Sequence, residues 1–178
     1  PAVANLTTRH SDGRVIDGPA GLRTDRIAAG ALPVDLAIST TGNTAGAEAT
    51  ASLSLTTDGV VPADGHIAIT FPEGWQMSPS PPVAITKPAG LVTVTATWDP
   101  ATMVLLVDPG ERLDAETEVQ MTIKLKNPST ARPADLASVA TLDGKMLVID
   151  GPANASLTAI KAMQLIGELT WDTLVDTP

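Results

Sequence analysis

The pattern that most restricts this chain is apolar residues alternating with polar ones at a period of two. Residues 92–98 run Val, Thr, Val, Thr, Ala, Thr, Trp. That places Val92, Val94, Ala96 and Trp98 on one face and Thr93, Thr95 and Thr97 on the other, as a half-buried strand requires. Val119, Met121, Ile123 and Leu125 alternate with polar residues in the same way, as do 51–56 and 67–71, the latter stopping at Pro72. The continuously apolar run 103–107 predicts a strand buried on both faces. Turn signals lie between these runs: Asp58-Gly59, Asp64-Gly65, Glu73-Gly74, Asp99-Pro100 and Asp108-Pro109-Gly110. Short alternating strands at this spacing predict an all-β fold, an antiparallel β-sandwich of immunoglobulin-like class. Residues 155–166 fit a helix or an interrupted strand, and periodicity leaves the two open.

Composition narrows the function. A chain of 178 residues with 43% hydrophobic content has the length of one domain and the material for a core. Twenty acidic against 11 basic side chains, a net charge of −9, argue against nucleic acid or an anionic membrane surface as partner, because both demand Lys and Arg. No run of about 18 apolar residues predicts membrane insertion. Zero Cys excludes disulfides, thiolate metal sites and Cys nucleophiles. His10 and His66 stand in no catalytic motif, so no enzyme and no cofactor are expected. The opening residues Pro1 to Asn5 lack the basic region of a signal peptide, and a start at Pro suggests a processed chain or a piece of a longer one. With 23 Thr and 15 Pro, the composition points to an extracellular or cell-surface protein.

The chain also repeats part of itself. Val15-Ile16-Asp17-Gly18-Pro19-Ala20 recurs as Val148-Ile149-Asp150-Gly151-Pro152-Ala153, an offset of 148 − 15 = 133. Held without gaps, that offset gives 11 identities in 26 positions over 15–40 and 148–173, too many for two chance turns. Upstream, Asp12-Gly13 and Asp143-Gly144 correspond once two residues are inserted. The expected organisation is an N-terminal arm or repeat opening (1–35), a sandwich core (36–133) and the opening of a second repeat copy (134–178). A tandem array of this kind buries strands across its junctions. The apolar C-terminal segment is either a strand donated to a neighbouring unit or the start of its own second sandwich. Ile149, Leu157, Ile160, Leu165, Leu169 and Trp171 are the candidate assembly residues, with copies of the same chain as partners.

Pro62-Ala63-Asp64-Gly65 followed by Ile69-Thr70-Phe71-Pro72-Glu73-Gly74-Trp75 resembles a repeat in large secreted surface proteins of oomycetes and related stramenopile algae. The likeness covers about a quarter of the chain, with a looser extension upstream around Thr40, Thr41 and Ala45-Gly46. It implies a structural component of cell surfaces or surface fibres and no chemistry.

Further candidates carry modification or binding. Ser78-Pro79-Ser80-Pro81-Pro82 reads as an extended, polyproline-like loop. It is either a rigid linker or an attachment tract for covalent glycans. Asn5-Leu6-Thr7 and Asn154-Ala155-Ser156 fit the N-glycosylation sequon, making Asn5 and Asn154 candidates, whereas Asn127-Pro128-Ser129 fails at its Pro. The Asp-Gly pairs at 12, 17, 58, 64, 143 and 150 read as turns, since calcium loops need several ligands at fixed spacing. Trp98 faces inward, while Trp75 and Trp171 either cap the core or stack on sugar. The function expected is a structural repeat unit of a glycosylated surface fibre. A pilin- or capsid-like self-assembling subunit and a carbohydrate-binding module are the alternatives.

Overall fold

The computed structural model describes residues 3–23, 28–33, 36–91 and 93–163. Among them are eleven strands and no helix: β1 (Val3–Arg9), β2 (Val15–Arg23), β3 (Leu36–Thr40), β4 (Glu48–Thr56), β5 (His66–Thr70), β6 (Val83–Lys87), β7 (Thr95–Asp99), β8 (Val104–Asp108), β9 (Glu118–Lys126), β10 (Asp135–Leu142) and β11 (Val148–Leu157). β1 and β2 form a two-stranded hairpin, and the other nine make one sheet in the order β6-β9-β4-β3-β11-β10-β5-β8-β7. Ile123 and Leu53 from one half of that sheet share a single buried cluster with Ile67, Leu105 and Val139 from the other. The sheet therefore folds over on itself into a β-sandwich of immunoglobulin-like class. Pairing is antiparallel throughout the nine strands except for β11 and β3, which run parallel.

The alternating runs behave as their period dictates. Ala96 and Trp98 are buried while Thr95 and Thr97 are exposed, although the strand begins only at Thr95 and Thr93 and Val94 lie ahead of it. Val119, Met121, Ile123 and Leu125 all face the core. The continuous run over 103–107 is a correction: Leu105 and Val107 are fully buried, but Val104 and Leu106 on the opposite face are only half-covered. β8 is flanked by β5 and β7 in a two-layer fold, so its outer face has no third layer above it.

The boundary expected at residue 133 does not divide the described residues. β10 antiparallel to β5 and β11 parallel to β3 lie in the middle of the nine-stranded sheet. Beyond them Ile160 bridges Arg132 and Lys161 bridges Thr44, so the same body continues to at least Lys161. The helical option for 155–166 also falls over its described part, because Ala155 and Leu157 alternate inward from an extended strand.

The Ser-Pro tract closes the open side of the sandwich. The Pro79 carbonyl accepts from the Trp98 amide at 2.9 Å, on edge strand β7, and the Pro82 carbonyl accepts from the Lys124 amide at 3.0 Å, on β9. The tract thus ties the two ends of the sheet together. On edge strand β6, Lys87 lies 3.1 Å from Glu118 of β9 and holds that carboxyl below its ordinary range, helped by the Gln120 amide. The stabilisation from this pair is complete above the ordinary glutamate value and is lost as pH falls through the lowered one.

Core packing predicts a sharp contrast between the two faces of one sheet. Ile123→Ala, at a fully buried position, should lower unfolding free energy by about 3 kcal/mol in urea titration, from lost transfer energy and the cavity left behind. Thr97→Ala, at an exposed position on β7, should change it by less than about 0.5 kcal/mol.

Candidate functional site: a hairpin and its seat

The β10–β11 hairpin occupies a slot between β3 and β5 that no other described segment fills. Its inward side chains Ala137, Val139, Ala155 and Leu157, with Ile160 beyond the strand, are all at most 3% exposed. One polar pair is buried with them. Asp150 accepts a hydrogen bond from the Thr141 hydroxyl at 2.8 Å, and its own amide donates to that hydroxyl at 3.0 Å. Its other oxygen accepts from the Gly59 amide at 2.7 Å. A fully buried carboxylate is tolerated because both oxygens find donors.

Two glycines make room for it. A Cβ at Gly30 would stand 2.3 Å from Asp150 Oδ1, and one at Gly59 would stand 2.6 Å from the Ile149 side chain. Backbone bonds lace the seat shut. The Gly30 amide donates to the Ile149 carbonyl at 2.7 Å, and the Gly151 amide donates to the Gly30 carbonyl at 2.9 Å. The Ala31 amide donates to Asp58 at 3.0 Å, fixing 30–31 against the Asp58-Gly59 turn.

The N-terminal hairpin is the same object at an offset of 133. In β1–β2, Arg9 pairs with Val15, Thr8 with Asp17, Leu6 with Ala20, Asn5 with Gly21, Ala4 with Leu22 and Val3 with Arg23. In β10–β11, Leu142 pairs with Val148, Thr141 with Asp150, Val139 with Ala153, Ser138 with Asn154, Ala137 with Ala155 and Leu136 with Ser156. Every partner differs by 133, and the two register irregularities fall at the same places. The turns agree as well. His10 N donates to Arg14 O and Gly13 N to His10 O, as Asp143 N does to Leu147 O and Met146 N to Asp143 O. Even the left-handed residues coincide, Gly13 at φ 89° and Met146 at φ 64°.

The two hairpins therefore align without a gap, and the two-residue insertion suggested by the Asp-Gly pairs is a correction. Asp12-Gly13 matches Lys145-Met146, because the turn demands a left-handed residue at that place and Asp143 serves elsewhere as the turn's acceptor. Asp17 and Asp150 also do not head turns as expected. Both lie inside strands, at the irregularity that brings a Thr hydroxyl to the carboxylate.

What differs between the copies is exposure. The Thr8 hydroxyl reaches Asp17 at 3.1 Å as Thr141 reaches Asp150, but in the first copy both residues are open to solvent. Ile16 is 59% exposed, whereas its counterpart Ile149 packs against the core.

The other expected residues are placed as follows. Leu157 and Ile160 are buried in this chain's own core and Ile149 is half-buried, so these three are engaged within the chain. Leu165, Leu169 and Trp171 lie outside the described residues. Asn154 is exposed on β11, and Ser78, Pro79, Ser80 and Pro82 are exposed while Pro81 is buried. Asn5 pairs through its backbone with Gly21 in the N-terminal hairpin. Trp75 is buried at 3% exposure with its ring centre 5.7 Å from that of Phe71, which leaves no face for a sugar. Trp98 meets the same Phe71 edge-on at 6.0 Å. Among the described residues, no group of three or more His, Asp or Glu side chains is placed to hold a metal ion.

No protein-family model matches the sequence, and no curated protein does. Solved structures do. The third cohesin of ScaC from Acetivibrio cellulolyticus, solved with the ScaB dockerin, matches at 15% identity over 73% of this chain and 99% of its own, with a TM-score of 0.37. The collagen adhesin CNA of S. aureus matches at 9% identity over 72% of this chain and 49% of its own, TM-score 0.42. BcpA, the major pilin subunit of Bacillus cereus, matches at 12% identity over 90% of this chain and 47% of its own, TM-score 0.40. The chain thus spans about half the length of the adhesin and pilin. Likeness at this level carries nothing about function.

The paired copies generate a direct comparison by mutation. Asp150→Ala should destabilise the chain by about 2–4 kcal/mol, since it strands the Gly59 amide and the Thr141 hydroxyl in a dry site. Asp17→Ala, chemically the same change in the exposed copy, should cost less than about 0.5 kcal/mol. Urea unfolding of the two variants side by side measures both.

Proposed function

We propose that this chain is a structural repeat unit of an extracellular surface fibre or filament, whose units pack strand to strand. The observation that carries the reading is the second hairpin. A sandwich complete in itself has no use for another copy of its own central hairpin, matched to the residue in register and turn. In a tandem array such copies are what each period contributes.

Two further features support it. The Thr- and Pro-rich, Cys-free composition and the resemblance to oomycete and algal surface repeats fit a cell-surface location. Exposure of Asn154, Ser78 and Ser80 leaves these side chains open to covalent glycans. Burial of Trp75 removes one of the two indoles on which a carbohydrate-binding module would rest. Partners on this reading are further copies of the unit.

Electron microscopy of the native surface material tests the reading. A nine-residue strand at roughly 3.3 Å per residue is about 30 Å long, so filaments should show an axial repeat of about 40 Å once loops are added. Glycopeptide mass spectrometry should place sugar on Asn154 or within the Ser78–Ser80 stretch. Dispersed single particles at neutral pH and physiological salt would overturn the fibre reading.

A further inference from the structure

We infer that the N-terminal hairpin, β1–β2, inserts into a neighbouring unit of the same kind, in the slot between that unit's β3 and β5. The proposal rests on the reading of the chain as an array unit and says where the contact lies. Its premise is that a seat fitted to one hairpin is fitted to another of identical register. Docked so, Asn5 would take the place of Ser138 opposite Thr70, and Leu22 the place of Ala155 opposite Leu36. Thr8 and Asp17 would enter the Thr141–Asp150 site, where Gly59 offers its amide and Gly30 leaves room.

The hairpin cannot reach its own chain's slot. With Asp17 opposite Gly30 and Leu22 opposite Leu36, the chain would leave β2 at Arg23, beside Ala37, and have to return to Gly30 before running up β3. Only six residues, 24 to 29, are available for that return. A crossover between adjacent parallel strands takes about a dozen. The acceptor is therefore another unit.

The ends of the folded body agree with this. Gly30 bridges Asp150 and Lys161 bridges Thr44, so the body runs at least from 30 to 161, and 161 − 30 + 1 = 132 residues is close to the period of 133. The folding unit is out of phase with the sequence repeat, each unit being completed by the hairpin that opens the next. A second copy of this chain fits less well than the resident hairpin. Arg9 stands where Leu142 does and Leu22 where the smaller Ala155 does, and an oversized residue in a packed site is destabilising. At low concentration the resident hairpin, tethered to its seat, should keep the slot.

The chain has no cysteine, so a disulfide can report the contact. Full-length Asn5→Cys/Thr70→Cys is refolded from urea under oxidising conditions, from micromolar to millimolar protein. Antiparallel partners lie about 4.5–5.5 Å apart at Cα, within the roughly 4.4–6.8 Å a disulfide spans. The expected result is an intermolecular bond between positions 5 and 70, identified by peptide mass spectrometry and rising with concentration as exchange overtakes the tether.

Asp150→Asn in the same background loosens the resident hairpin with little change of shape and should raise the linked fraction several-fold. Thr8→Val/Asp17→Ala should abolish most of the linkage while leaving the urea midpoint of the monomer unchanged. Linkage from position 5 to Thr97→Cys on edge strand β7 in place of Thr70→Cys, or no 5–70 linkage at any concentration, would overturn the docking proposal. Neither result touches the filament image, so the array reading stands or falls separately.

Discussion

The structure depends on one insertion. β3 and β5 stand apart in the sheet, and the β10–β11 hairpin fills the gap by pairing parallel to one and antiparallel to the other. Without it both strands would present open edges, and the inner layer would lose Val139, Ala155, Leu157 and Ile160 from its packing. Val139, Leu157 and Ile160 each contribute roughly 1.5–3 kcal/mol by burial, so a sandwich of this size does not survive the loss. Hydrogen bonding makes the same demand, since unpaired strand edges beside a core invite association with whatever strand is nearest. Asp150 adds specificity. A buried carboxylate is stable only where Gly59 and Thr141 both meet it, which penalises a hairpin seated one residue out of register.

The middle of this architecture was legible because β4, β5, β7 and β9 each have one wet face and one dry face. Their residues therefore alternate, and alternation survives in sequence whatever the neighbours are. β10 and β11 also have one buried face, but β11 carries Gly151-Pro152 where a strand should have a donor and a side chain. Read locally, Asp-Gly-Pro is a turn. The strand tolerates it because the register irregularity at Thr141 and Asp150 takes up the extra residue, and only the pairing reveals that. β6 was hidden for another reason: an edge strand of five residues with a single buried side chain, Ile85, has too little pattern to detect.

The site was half legible. The repeated hexapeptide marked β2 and β11 as equivalent, but the match upstream was obscured because turns accept different residues at the same dihedral angles. Gly13 and Met146 share a left-handed conformation with no shared chemistry. Thr8 and Thr141 lie at the same offset as the hexapeptide, and this was the signal available for the buried pair. The first strand of each hairpin otherwise diverges, apart from Ala4 and Ala137, as surfaces with different surroundings do.

Comparing the two hairpins separates what local sequence decides from what the fold decides. Register, irregularities, turn hydrogen bonds and the Thr–Asp contact are the same in a copy whose Thr and Asp are buried and in one whose Thr and Asp are open to solvent. These features therefore belong to the hairpin itself, and burial follows from a seat. A two-stranded hairpin is at best marginally stable alone in water. Conserving the geometry of a buried insert in an exposed segment, down to a carboxylate already holding its hydroxyl partner, lowers the ordering cost of entering a seat later. An array assembled in this way has no linker between units, because the segment that joins two units is itself the centre of a sheet. Its junctions would then be as strong as its cores, and a unit cut at the boundaries of the sequence repeat would lose the strands that complete it.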